Sequence, residues 1–118
     1  MDILFLLSPN FTDALRDEEG ILYYCPDCAL VEGVIGYYPQ LRMELDIRYI
    51  GYRKPRMEIV DLVGATHQGC PNLILDPLNH SLVDIELFHR FENKVYTTDP
   101  KLVLWYFSRK FGIATAHF

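Results

Sequence analysis

Tyr24-Cys25-Pro26-Asp27-Cys28-Ala29-Leu30-Val31-Glu32-Gly33 is the stretch on which the reading of this chain turns. Two cysteines separated by two residues fall at i and i+3, on one face of a helix. Proline is tolerated in a first helical turn, where the N–H it lacks would have no partner anyway. The spacing therefore predicts a helix opening at Pro26, with Cys25 at the N-cap and Cys28 one turn in. Ala29, Leu30, Gly33, Val34 and Tyr37 continue at helical spacing along one stripe, and Pro39 ends the helix. A thiol at a helix amino end meets the positive pole of the helix and unpaired N–H groups. Both favour the thiolate, which is the reactive species. On this reading Cys25 is the exposed attacking sulfur and Cys28 the buried resolving partner. Asp27 works against it, because a carboxylate in the same turn opposes a second anion.

A Cys-x-x-Cys pair is also half of a zinc site. The chain has three cysteines and no second pair. The residues alone leave three chemistries open: a redox dithiol, a metal set drawn from Cys25, Cys28, Cys70 and His67, and plain packing. Context favours the first. Upstream, Ile3-Leu4-Phe5-Leu6-Leu7 is an apolar run closed by Ser8-Pro9, the pattern of a strand covered on both faces. Residues 9–24 are mixed and acidic and read as a surface excursion.

Downstream, Leu45–Ile50 alternates as a strand, and Gly51–Pro55 makes a turn. A second helix then carries Ile59, Val60 and Val63, with Gly64 at its C-cap. Leu73-Ile74-Leu75 reads as a third strand between Cys70-Pro71 and Asp76-Pro77. Residues 78–93 show no clear pattern, and Val83–Phe88 suits a strand, a helical turn or an ordered loop. Lys94–Thr97 reads as a strand. Asp99-Pro100 then supplies an N-cap and a first-turn proline for a last helix ending at Gly112. Leu102, Trp105, Tyr106 and Arg109 fall on one side of it, with Val103 and Phe107 beside them, and its aromatic residues are expected in the core. The order is β-α-β-α-β-β-α, an α/β fold with a mixed sheet flanked by helices, in a single domain over residues 1–118.

Charge and composition set outer limits. The 118 residues carry 11 Lys+Arg against 16 Asp+Glu, a formal net charge of -5. That balance argues against a nucleic-acid partner, since phosphate binding draws on a net basic surface. The local exception is Arg48, Arg53, Lys54 and Arg56. No apolar run reaches membrane-spanning length, so no membrane partner is expected. The opening residues lack a basic n-region, which makes the cytoplasm the expected address. Half the residues are hydrophobic, enough to bury a core.

Taken together, Cys25-Pro26-Asp27-Cys28 opening a helix and Gly69-Cys70-Pro71-Asn72 before an apolar strand resemble the thioredoxin superfamily, over roughly Met1 to Gly112. Cys25, Pro26 and Cys28 match its Cys-Pro-x-Cys motif, and Pro71 matches its cis-proline. The tract from Tyr24 to Gly33, with Pro55-Arg56, Asp61-Leu62 and Gly112, is more similar still to a small bacterial family catalogued only as a domain of unknown function. The resemblance implies a thiol–disulfide oxidoreductase with Cys25 and Cys28 as the reacting pair and no bound cofactor. It implies that Pro71 shapes a groove where a protein or small-molecule disulfide pairs with the backbone at Cys70. It also implies that Cys70 lies beside the pair, a departure from the superfamily's usual apolar or hydroxyl residue there. Similarity to glutaredoxins and glutathione transferase N-terminal domains further implies glutathione as a co-substrate. Thr98 and Asp99 would then meet its γ-glutamyl end, and Arg53, Lys54 and Arg56 its glycine carboxylate. The alternatives are the metal-binding set above and an adaptor that keeps the fold without turnover.

Overall fold

Successive side chains of a strand point to opposite faces of its sheet, so an unbroken apolar strand needs cover on both. Strand β1 (Asp2–Leu7) has that cover in the computed structural model, which describes residues 1–118. Leu4 and Leu6 join one buried cluster with Val31, Ile35, Val103, Leu104, Tyr106 and Phe107. Phe5 points the other way, into a second cluster with Ile59, Val63, Ile74 and Tyr96. The first cluster is roofed by helices α1 (Pro26–Tyr37) and α4 (Pro100–Phe111). A short helix α2 (Leu41–Glu44) follows α1, and helix α3 (Met57–Val63) covers the second cluster.

The remaining strands are β2 (Leu45–Ile50), β3 (Asn72–Ile74), β4 (His89–Phe91) and β5 (Lys94–Thr97). Their order across the sheet is β2-β1-β3-β5-β4. Strands β1 and β2 run parallel in register from Asp2↔Leu45 to Leu7↔Ile50. The β3, β5 and β4 pairings are all antiparallel. The result is an α/β fold with a five-stranded mixed sheet flanked by helices. No helix is long and apolar enough to cross a membrane.

Helix α1 has the expected start and end but a different buried face. Cys28, Val31 and Ile35 are buried, whereas Leu30 is 42% exposed and Tyr37 84%. The reason is that α1 is apolar nearly all round, so 3.6-residue spacing alone does not pick a side. Ile35→Ala is accordingly expected to cost about 2–5 kcal/mol, and Tyr37→Ala less than about 0.5 kcal/mol, in urea unfolding. Equal costs would refute this assignment of faces. In α4, Tyr106 and Phe107 are fully buried as expected, but Trp105 is 39% exposed and lies outside the core. Val103 and Leu104 take that inner side instead.

The unpatterned stretch resolves into two 3-10 turns, Pro77–Leu82 and Ile85–Leu87. The carboxylates of Asp76 and Asp84 accept the N–H groups of Leu78 and Glu86 at their starts. The edge strand β4, whose residues are all exposed, adds to the expected order. Phe91 on that strand lies over Gly64, where an added Cβ would come within 2.7 Å of its ring. Gly64 also has a φ of 79°, so both backbone and packing require glycine there.

Candidate functional site

Cys25 is the N-cap of α1, with an extended backbone. Its Sγ accepts the Cys28 N–H at 3.1 Å, the task an oxygen performs at an ordinary N-cap. The Cys25 thiol donates in turn to the carbonyl of Cys70 at 3.6 Å. Cys25 and Cys28 approach one another to 2.7 Å. All three thiols are free; Cys25 and Cys70 are half-buried and Cys28 is buried. Burial pushes the Cys28 thiol far above the usual range, and the Cys25 sulfur adds to the shift. Burial also pushes Cys70 up, to about 11, while the Arg56 guanidinium pulls the other way. The Cys70–Pro71 bond is cis, as is Lys54–Pro55.

The metal set is not assembled. No three His, Cys, Asp or Glu side chains are placed to hold one ion. His67 turns to the sheet instead: its Nδ1 lies 2.8 Å from the Tyr96 hydroxyl, and its ring stacks on His89 at 3.8 Å. His89 had no recognisable partner in the sequence, because strand β4 that carries it was not legible there. Partial desolvation of the ring, and then the stacked His67, hold His89 below the ordinary imidazole range. The unfolded chain therefore takes up this proton first, and the contribution to stability falls as pH drops below about 6.5. His89→Gln should reduce the loss of urea midpoint between about pH 7.5 and pH 5.5. An unchanged loss would count against the coupling.

Arg56 is a clamp and not a solvated cation. It is 8% exposed. Its Nε and one terminal nitrogen donate to the Tyr52 carbonyl at 3.1 and 2.6 Å, and the other terminal nitrogen donates to the Gln68 carbonyl at 2.7 Å. Its own N–H donates to the Gln68 side chain at 2.7 Å. These bonds tie the turn after β2 to the loop that carries Cys70 and Pro71. Arg53 and Lys54 remain exposed.

Arg53 and Arg56 line an open groove of about 730 Å³ with Asn10, Phe11, Tyr52 and Met57. The excursion over residues 9–24 forms one wall. Phe11 stacks on Tyr52 at 4.4 Å and bridges to Tyr23, and the Tyr52 hydroxyl donates to Asp13 at 3.0 Å. Groove and thiols are linked through Arg56, which lines the one and acts on Cys70 in the other. Thr98 lies beside Gly69, at the other flank of the Cys70 loop. Asp99 is exposed and caps α4, its carboxylate accepting the Lys101 N–H at 3.0 Å.

Residues 1–115 match the family described as "Protein of unknown function (DUF3088)", and the chain belongs to that family. No curated protein matches it. No solved structure does either.

Proposed function

We propose that this member of the DUF3088 family carries out thiol–disulfide exchange, with Cys25 as the attacking sulfur, on a thioredoxin-like arrangement of strands. The observation that carries the reading is the position of Cys25 Sγ. It stands at the amino end of α1, accepts the Cys28 N–H, and faces the Cys70 carbonyl just before a cis proline. Negative charge that develops on this sulfur during exchange is met by that N–H and by the helix end. The thioredoxin-like assignment draws support from the parallel β1–β2 pair, the antiparallel β3 and β5 beside it, and a motif helix following β1.

Exchange of this kind needs only thiols and a disulfide. The Cys25 thiol gives its proton to solvent, and the sulfur attacks one sulfur of a substrate disulfide. That S–S bond breaks, one thiolate leaves and takes a proton, and a mixed disulfide remains on Cys25. Cys28 then attacks Cys25 Sγ, releases the second substrate thiol and closes the Cys25–Cys28 disulfide. The substrate is reduced by two electrons and the protein oxidised by two. Glutathione or another small thiol would return the electrons.

A protein or small-molecule disulfide suits the surroundings. Ile21, Leu22 and Tyr24, just before Cys25, are all exposed, an apolar collar at the mouth of the site. The groove beside Arg56 suits the non-reacting part of a ligand. For glutathione, exposed Arg53 and Lys54 offer cations for its glycine carboxylate, and Thr98 and Asp99 flank the Cys70 loop for its other end.

The test is a redox titration in graded glutathione buffers, with alkylation and mass spectrometry as the readout. A two-electron transition that removes Cys25 from alkylation between about -180 and -280 mV is expected. Equal labelling of Cys25 at every poise would overturn the reading and leave an adaptor role on the same fold.

A further inference from the structure

Exchange by a single Cys-x-x-Cys pair uses two thiols, and a third free cysteine, Cys70, has its carbonyl against Cys25 Sγ. We propose that Cys70 is a third redox thiol of the site, able to close a disulfide with Cys25 in place of Cys28; the proposal rests on the exchange reading given above. Cys25 Sγ lies 3.6 Å from the carbonyl oxygen of Cys70, and both side chains pack against the same buried cluster. The Cys25 sulfur adds to the rise of the Cys70 thiol. Cys28 is 4% exposed, whereas Cys70 is half-buried, so an incoming thiol reaches Cys70 more easily.

Arg56 is the second observation. A guanidinium with 8% exposure is held by the Tyr52 and Gln68 carbonyls at a place where its charge favours the Cys70 thiolate. Burial raises both resolving candidates, but only Cys70 has a fixed cation opposing the rise. Thiolate fraction sets much of the rate of attack, partly offset by lower nucleophilicity. The arrangement gives Cys25 one nearer, buried partner and one more accessible, charge-assisted partner.

The Cys70 thiol loses its proton to solvent, and its sulfur attacks Cys25 Sγ in the mixed disulfide Cys25–S–S–R. The S–S bond of the mixed disulfide breaks, R–S⁻ leaves and takes a proton from solvent, and a Cys25–Cys70 S–S bond forms. The same attack on a Cys25–Cys28 disulfide exchanges one internal bridge for the other with no change in oxidation state.

The experiment uses the full chain, Cys28→Ala and Cys70→Ala, each treated with glutathione disulfide, quenched in acid and read by intact mass and peptide mapping. Cys28→Ala is expected to lose two hydrogens and to map a Cys25–Cys70 bridge, the mixed disulfide decaying at least about tenfold faster than in a Cys28→Ala/Cys70→Ala double variant. A stable glutathionyl adduct on Cys25 of Cys28→Ala, with Cys70→Ala still closing its own bridge, would overturn the role of Cys70 and leave exchange by Cys25 intact. Absence of any adduct or bridge at Cys25 in all proteins would overturn both. Circular dichroism of each variant separates these outcomes from loss of fold. Cys28→Ser serves as a second variant should alanine disturb the packing.

Discussion

Cys25→Ser is expected to lower exchange with glutathione disulfide by at least about a thousandfold, roughly 4 kcal/mol of transition-state free energy. A serine hydroxyl is not ionised near neutral pH and is not oxidised to a bridge, so neither the mixed disulfide nor the internal one forms. The same change leaves the fold intact for a specific reason. Cys25 is the N-cap of α1 and its sulfur accepts the Cys28 N–H, a task at which serine is among the preferred residues. The variant should therefore unfold at an unchanged or slightly higher urea concentration while losing exchange. Substituting Cys25 thus separates chemistry from stability in a way that substituting buried Cys28 does not. Retention of more than a tenth of the wild-type rate would place the reacting sulfur elsewhere.

Which parts of the molecule were legible in the sequence follows from the range of the interactions that make them. Helix α4 was, because its signals are local: Asp99 accepts the Lys101 N–H, Pro100 follows, and Gly112 closes the helix at a φ of 69°. Strand β1 was legible from the continuous apolar run that both faces demand. The Cys25–Cys28 pair was legible for the same reason, being a short motif, whereas the cis bond at Cys70–Pro71 was expected only from the resemblance. The buried side of α1 was not legible, because Ala29, Leu30 and Tyr37 place apolar surface opposite Val31 and Ile35. Strand β4 was not, since three exposed residues carry no alternation to read. Arg56 was missed as a clamp because backbone carbonyls hold it, one of them at residue 68, and any sequence can supply a carbonyl. The charged cluster at 53–56 looked uniform, yet burial separates Arg56 from Arg53 and Lys54.

Asp2 is the extreme case of a residue whose importance lies wholly in distant partners. It begins β1 and is 1% exposed. Its carboxylate accepts the Tyr106 hydroxyl at 2.7 Å, the Asp76 N–H at 2.7 Å and the Asn79 side-chain amide at 3.0 Å. These partners stand 74 to 104 residues away along the chain. Burial first, and then the Asp2 carboxylate, push the Tyr106 hydroxyl far above the ordinary phenol range, so it stays a donor. Asp2→Ala removes the acceptor and leaves a buried hydroxyl and two half-buried amide donors unpaired. It is expected to cost roughly 3–5 kcal/mol in urea unfolding. Against a total of about 5–15 kcal/mol for a domain of this kind, that is a large fraction. Tyr106→Phe removes one donor and leaves the carboxylate two, so about 1–3 kcal/mol is expected for it. The chemistry should not follow. Asp2 opens β1, whereas the loop leading to Cys25 leaves from the other end of that strand, after Leu7. Exchange rate per folded molecule should therefore stay within about twofold of wild type in both variants. A cost below about 1 kcal/mol for Asp2→Ala would mean that water satisfies these donors, and that this network does not hold β1 to α4.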